Sequence, residues 1–278
     1  MRARMPVVAG KFYPGQRQAL QEEVTGYLEA GSQWAQARPA PDHVWALMLP
    51  HAGHIYCGRI IGETLAGVRL PHRLIILCPN HTGYGRPLGV WPEGAWVTPL
   101  GEVEVDAGLA GALIATNCGY EPDTGSHLGE HSIEVLLPFL QEKQQKLKIA
   151  PVCVGVRNPA ILKRAGSGLA EVLKANPDTG VIVSSDMNHY EAHNVTLAKD
   201  NLALAAALAG DADRLLAVTE KNSISMCGAG PLAIALYAGQ ELGYASAELV
   251  DHDTSGPISG DMAHTVGYAG LRLLKKSA

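Results

Sequence analysis

Three short apolar runs, each followed by a polar loop with a histidine, constrain the fold more than any other feature of this sequence. The runs and their histidines are residues 44–49 with His51, residues 74–78 with His81, and residues 181–183 with His189. A strand, a polar loop and a helix in succession are typical of open α/β sheets, which bind ligands outside the carboxyl ends of their strands. We therefore expect the three loops to meet at one edge of a sheet.

The rest of the chain alternates between strand-like and helix-like segments. This order predicts an α/β protein, a three-layer α/β/α sandwich with a largely parallel or mixed central sheet. Residues 88–105 alternate and carry Gly and Pro, which indicates a hairpin or short edge strands, and the apolar spacing of residues 132–145 predicts a helix. Residues 251–264 are the most loop-like, as in a lid or a rim. No linker-like run divides the chain, so we predict a single domain over residues 1–278.

Composition narrows the function classes. The formal net charge is −5 and no basic run is longer than two residues, so we expect neither nucleic acid nor an anionic membrane as a partner. No apolar run approaches the ~20 residues of a membrane helix, and the N-terminus lacks the apolar region of a signal peptide. We expect a cytoplasmic protein. Five widely spaced cysteines without a CxxC pair disfavour a disulfide framework and a four-cysteine zinc site.

Six side chains that could bind a metal or transfer a proton fall in loops that could converge. They are His51, His81, His131, Asp186, His189 and Cys227. Imidazole suits zinc, iron and copper, and a thiolate adds a soft ligand. Cys227 lies just ahead of a predicted helix, whose N-terminal dipole is expected to lower the pKa of the thiol. Cys57, in the first histidine loop, competes for the same role, although packing is the simpler interpretation.

Two other chemistries are open at this point. Ser184 or Ser185 with a nearby His and Asp would suit nucleophilic catalysis, but the G-x-S-x-G elbow of hydrolases is missing. Gly228 and Gly230 at a helix start could cradle an anion, but neither G-x-G-x-x-G nor a P-loop lysine is present. Glycines that ease a tight turn into the helix are the simpler interpretation.

Five motifs in order resemble the Memo family, known in bacteria and archaea as AmmeMemoRadiSam system protein B. They are PHAGHIYCG, PNHTGYG, GEHSIEVLLPFLQ, SSDMNHY and SMCGAGP, and the resemblance runs from about Pro6 to about Gly270. The family is similar in fold to class III extradiol dioxygenases, which are non-haem iron(II) enzymes. The resemblance implies a metal site of His51, His81 and Cys227, with a thiolate where those dioxygenases have a carboxylate.

The same resemblance places the three other candidates in the metal pocket. We expect His131 or His189 to act as general acid or base, and Asp186 to orient a histidine or to cap its own loop. Fe(II) is the expected metal, with Cu or Zn as rivals. The resemblance also implies a pathway link to a radical-SAM protein and an AMMECR-type protein.

Three functions are compatible with this sequence. The first is an oxidoreductase acting on a small, oxygenated substrate that could be aromatic. The second is a non-catalytic protein whose pocket binds a peptide or a protein partner. The third is a zinc-dependent hydrolase.

Overall fold

The computed structural model describes residues 3–41, 43–244 and 246–275. Its strands are β1 (Ala3–Arg4), β2 (Val44–Leu49), β3 (Arg73–Pro79), β4 (Leu88–Val90), β5 (Ala95–Thr98), β6 (Gly101–Val105), β7 (Glu121–Pro122), β8 (Lys148–Val154), β9 (Thr179–Ser184), β10 (His189–Glu191), β11 (Ser246–Thr254) and β12 (Thr265–Leu274). Its α-helices are α1 (Arg17–Ala35), α2 (His54–Leu65), α3 (Ala107–Ala115), α4 (Leu137–Lys143), α5 (Pro159–Ala175), α6 (His193–Leu208), α7 (Ala212–Lys221), α8 (Ala229–Glu241) and α9 (Gly256–Ser259). A single 3₁₀ turn spans Gly125–His127 within the described residues.

The sheet has a parallel centre and antiparallel additions. Its main order is β1-β5-β6-β8-β3-β9-β2-β12-β10. Neighbouring strands from β6 to β2 run parallel, whereas β12 pairs antiparallel with β2 and with β11. Because β9 lies between β3 and β2, the loops that follow these three strands leave the sheet side by side.

Apolar side chains on the two faces of the sheet pack against two separate helical layers. In β2, Met48 belongs to the cluster that includes α3, α5, α6, α7 and α8, whereas Leu49 belongs to the cluster that includes α1, α2 and α4. Successive strand residues point to opposite faces, so a strand that is apolar throughout must be covered on both sides. The predicted three-layer sandwich with a mixed, largely parallel sheet is confirmed.

Side-chain caps define the starts of two helices. Asp106 accepts a hydrogen bond from the backbone N–H of Leu109 at the start of α3. Asn158 does the same for Ala160 and Ile161, and Pro159 follows as the first residue of α5. Such caps satisfy N–H groups that have no partner inside the helix, and proline suits the first helical position.

Two predicted elements need correction, and a third is confirmed. The helix predicted over residues 132–145 begins only at Leu137, because Pro138 cannot donate a hydrogen bond and is tolerated only in a first turn. The segment expected to be a loop at 251–264 contributes its first four residues to β11, where pairing with β12 overrides the loop-like composition. The hairpin predicted within residues 88–105 is confirmed as β5 and β6, and β6 also pairs with β8 of the parallel centre.

Within the described parts of the chain, no helix is long and apolar enough to cross a membrane.

Candidate metal centre

The loops at the carboxyl edge of the sheet converge on a cavity of about 730 Å³. All six side chains singled out from the sequence line it: His51, His81, His131, Asp186, His189 and Cys227. Four of them follow β2, β3 and β9, as expected for neighbouring parallel strands. His131 and Cys227 arrive from segments far along the chain, before α4 and before α8. The fold therefore assembles one polar site from five separate segments.

Three imidazoles form the centre of this site. One ring nitrogen from each of His51, His81 and His131 lies within 4.8 Å of the other two. The ring centroids are 4.9 Å apart for His81 and His131, 5.2 Å for His51 and His81, and 5.6 Å for His51 and His131. Three imidazoles at this spacing could hold a metal ion.

A serine fixes the orientation and the tautomer of His51. The Nδ1 atom of His51 lies 2.7 Å from Ser184 Oγ, and the Ser184 hydroxyl donates to the carbonyl of Ser132, also at 2.7 Å. Since a carbonyl oxygen only accepts, the hydroxyl proton is committed there and Ser184 must accept a hydrogen from His51 Nδ1. The lone pair of His51 is thereby left on Nε2, which lies 3.4 Å from Cys227 Sγ.

A buried carboxylate fixes His81 in the same way. Glu130 Oε1 accepts from His81 Nδ1 at 2.9 Å, and Oε2 accepts from the His81 backbone N–H at 2.6 Å. Ser132 adds hydrogen bonds from its N–H and its hydroxyl to Oε1. Burial opposes ionisation of Glu130, but these donors outweigh it and lower the pKa of its carboxyl to about 2. Metal-binding histidines typically have such a partner on the second ring nitrogen.

Glu130 also shifts the titration of the two neighbouring imidazoles. Burial lowers the tendency of His81 to take up a proton, but its hydrogen bond to Glu130 outweighs burial and raises the His81 pKa. His131 Nδ1 lies farther from Glu130 Oε1, at 3.6 Å, and burial prevails there, so the pKa of His131 is lowered. Burial and the two neighbouring histidines also lower the pKa of His51. His51 and His131 are therefore neutral at pH 7.

Cys227 lies beside His51, but its predicted acidity is wrong. Burial raises the pKa of the Cys227 thiol above its usual range, and the charge of Asp186 raises it further. These effects outweigh the dipole of α8, which begins two residues later. The Cys227 sulfur accepts a hydrogen bond from the Asp186 backbone N–H at 3.2 Å. The metal-free protein therefore carries a protonated thiol at neutral pH.

Gly228 allows the Cys227 loop to pack tightly on the end of β9. A Cβ atom at position 228 would lie 2.3 Å from the Cβ of Ser185. The Gly228 N–H donates to the hydroxyl of Ser185 at 3.1 Å. The glycines here serve close packing at a tight turn, which supports the simpler interpretation of the Gly-rich loop rather than an anion cradle.

Asp186 contacts His51, although not at the ring. Its Oδ1 accepts from the His51 backbone N–H at 2.7 Å, and burial outweighs this bond and raises the pKa of the carboxyl. Asp186 thus positions the main chain of His51, while Ser184 and Glu130 orient the imidazole rings. The sequence analysis gave neither Ser184 nor Glu130 this role. The sequence did carry a signal for each: Ser184 is a polar residue at the end of an apolar strand, and Glu130 is an acid directly before His131.

The remaining candidates occupy distinct places around the site. His189 lines the cavity, and its Nδ1 is a buried atom without a hydrogen-bond partner among the described residues. Ser184 and Ser185 are fully buried with both hydroxyls hydrogen-bonded, which is unsuited to a nucleophile that must reach a substrate. Cys57 is buried within the cluster of α1, α2 and α4, as expected for a packing residue.

Comparison with known proteins shows similarity along almost the whole chain. The profile of the family described as Memo-like protein matches residues 4–272. A MEMO1 family protein of Thermotoga neapolitana is 38% identical over 273 residues, covering 95% of this chain and 97% of that protein. A MEMO1 family protein of Pyrobaculum arsenaticum is 37% identical over 277 residues (98% and 99%), and one of Sulfurisphaera tokodaii is 35% identical over 288 residues (97% and 98%).

Proposed function

The chain belongs to the Memo family, and from that premise we propose that it binds one transition metal ion through His51, His81 and Cys227. The observation that carries the proposal is the fixed tautomer of two imidazoles. Ser184 and Glu130 each accept a hydrogen bond from an Nδ1 atom, so the neutral form of each ring presents its Nε2 lone pair to the same cavity. Fixed ring orientation is what a metal site requires, and His81 and Cys227, whose pKa values are raised, give up their protons when an ion binds.

The donor set is suited to iron, copper or zinc. Fe(II) is our first choice, since the family resembles non-haem iron dioxygenases, and Cu or Zn is the alternative. A bound ion would act as a Lewis acid and, for iron or copper, as a redox centre. His131 is the alternative third ligand, because its ring nitrogen is within 4.8 Å of those of His51 and His81.

We propose an oxidoreductase that acts on a small oxygenated substrate. His131 and His189 are the side chains assigned to proton transfer. His131 is neutral at pH 7 because burial lowers its pKa, so it can accept a proton from a substrate hydroxyl. His51 is unsuited to this role, since the Nε2 lone pair that its bond to Ser184 leaves free is the one proposed to bind the metal.

An anaerobic Fe(II) titration of the metal-free protein tests the metal site. We expect one equivalent to bind tightly to the native chain, with at least a tenfold loss of affinity in Cys227→Ser. His131→Asn, run in parallel, distinguishes the two ligand sets, because it weakens binding strongly only if His131 is a ligand. Cys118→Ser and His72→Asn are matched controls outside the cavity. Native protein that binds no stoichiometric metal, or binds it equally well without Cys227 and His131, refutes the site.

A second candidate is a non-catalytic protein that binds a peptide or protein partner at the same pocket. The exposure of large apolar side chains at the mouth favours it, since Ile55 and Tyr190 are 65% and 75% exposed. This function predicts partner binding that tolerates His131→Asn and no O₂ uptake with any oxygenated substrate. A zinc-dependent hydrolase instead predicts activity that persists without O₂. A cytoplasmic location stays a prediction.

A further inference from the structure

Two cationic side chains at the mouth of the cavity have no assigned role. Lys11 and Arg157 both line the cavity and are exposed. Within the described residues, neither side chain has a hydrogen bond or an ion pair. Asp186 is the single acidic side chain among the described residues of the cavity lining, and it is bound to the His51 backbone N–H. The two cations are therefore not neutralised by the wall itself.

Both cations are attached to well-fixed backbone. Lys11 belongs to an N-terminal segment that Glu134 holds, since this fully buried carboxylate accepts from the N–H groups of Val7 and Val8 and from the hydroxyl of Tyr13. Arg157 follows the carboxyl end of β8 and directly precedes the cap of α5. The N-terminal segment and the loop after β8 are anchored independently. The backbone therefore keeps two positive charges at the mouth of the cavity, while the long side chains can adjust to a ligand.

Much of the cavity lining is aromatic. Phe12, Tyr56, Tyr190 and Tyr268 line the cavity. Phe12 packs edge-on against His131 with ring centroids 5.0 Å apart, so an aromatic side chain adjoins the histidine cluster. Tyr190 adopts a left-handed backbone conformation, with φ of 62°, although it is not glycine. Such strain is concentrated at functional sites.

We infer that the ligand of this pocket is a small aromatic carboxylate. Its acidic group lies at the mouth with Lys11 and Arg157, and its ring lies among the aromatic walls with an oxygenated edge toward the imidazoles. A guanidinium matches the planar fork of a carboxylate, and a cavity of about 730 Å³ lies within the range of small-molecule sites. The protein as a whole carries a charge of −5, so attraction of an anion must come from this local arrangement.

This inference rests on the proposed function for its meaning, because it names the substrate class of the same site. Its test is run without metal, so that a failed Fe(II) titration leaves it standing and a carboxylate cannot bind merely by coordinating an ion. Metal is removed with an insoluble chelating resin, since soluble chelators are themselves anions. Three probes of similar shape are then titrated by calorimetry or ligand-observed NMR: 3-hydroxybenzoate, 3-hydroxybenzyl alcohol and 3-hydroxybenzylamine.

We expect 3-hydroxybenzoate to bind about tenfold tighter than the neutral alcohol, with the amine weakest, as for a charge-assisted hydrogen bond at a partly exposed site. Arg157→Gln and Lys11→Gln should each reduce this preference by at least threefold. Lys146→Gln, which removes the same charge from an exposed position outside the cavity, should leave it unchanged. High salt should also reduce the preference.

Three results would overturn the inference. If the native protein binds 3-hydroxybenzoate and 3-hydroxybenzyl alcohol equally well, the pocket has no preference for an anion. A preference that survives in both Arg157→Gln and Lys11→Gln shows that the anion binds elsewhere. Cyclohexanecarboxylate tests the need for an aromatic ring separately. If it binds as tightly as 3-hydroxybenzoate, the pocket does not select an aromatic ligand. Both substituted side chains are exposed, so thermal unfolding should confirm that the variants are folded.

Discussion

Glu130→Gln is the substitution from which the structure makes its sharpest prediction. The native carboxylate is fully buried and its donors lower its pKa from 4.5 to about 2. Each pH unit is worth about 1.4 kcal/mol, so ionisation of Glu130 contributes about 3 kcal/mol to the metal-free protein at pH 7. Glutamine keeps one acceptor, but its amide group must meet the N–H of His81 or the donors of Ser132. We expect a loss of about 2–3 kcal/mol at neutral pH.

The pH dependence separates the charge from a simple packing defect. A carboxyl whose pKa is lowered by folding stabilises the protein above its unfolded pKa, and this stability is lost as the pH falls through its folded pKa. The difference between native protein and Glu130→Gln should therefore shrink by about 1.4 kcal/mol between pH 7 and pH 3.5, and by about 2.5 kcal/mol in all by pH 2.5. Urea unfolding of the metal-free proteins across this range measures it. The exposed Glu102→Gln is the matched control, with an effect within about 0.5 kcal/mol.

A difference that stays constant from pH 7 to pH 3 would falsify the reasoning, because a neutral carboxyl and an amide would then differ for reasons other than charge. Metal affinity gives a second readout. Losing the acceptor that holds His81 Nδ1 should weaken metal binding by about 10- to 100-fold, whereas Glu102→Gln should bind as the native protein does.

Three further predictions concern other parts of the site. Gly228→Ala should destabilise the protein by about 1–3 kcal/mol in urea unfolding, since its Cβ would lie 2.3 Å from the Cβ of Ser185. Gly111→Ala in α3 is the control. Among the described residues, a Cβ at position 111 would have no neighbour within 4 Å beyond the backbone of its own helix, so this change should be neutral or stabilising by up to about 1 kcal/mol. Tyr190→Asn should raise the stability by up to about 1 kcal/mol, because asparagine tolerates the left-handed conformation better; an unchanged or lower melting temperature contradicts the strain argument. Metal affinity should rise at least tenfold per pH unit from pH 6 to pH 8, because the Cys227 thiol has a raised pKa and must lose its proton to bind. His81, whose pKa is also raised, should steepen this dependence at the acid end. Calorimetry in two buffers of different ionisation enthalpy should detect the released protons, and a flat profile argues against a cysteine ligand.

The sequence alone determined which segments form the parallel centre of the sheet and what chemistry the loops after them carry. The apolar runs of β2, β3 and β9 are buried on both faces, and their ends coincide with polar loops, so their hydrophobic pattern was sufficient. The caps at Asp106 and Asn158 are local hydrogen bonds between residues two or three positions apart, so they too depend on sequence rather than on the fold. The helix before β8 was misplaced at its start, since apolar spacing alone does not show how far a proline shortens a helix.

Only the tertiary structure decided which groups touch within the site. The strand order places β9 between β3 and β2, and this order depends on pairing between segments more than 100 residues apart. Glu130 therefore meets His81 across 49 positions and Ser184 meets His51 across 133, contacts that no local pattern encodes. The acidity of Cys227 depended on tertiary structure for the same reason. The start of α8 is a local feature that suggests a low pKa, but burial and the charge of Asp186, both set by the fold, raise it.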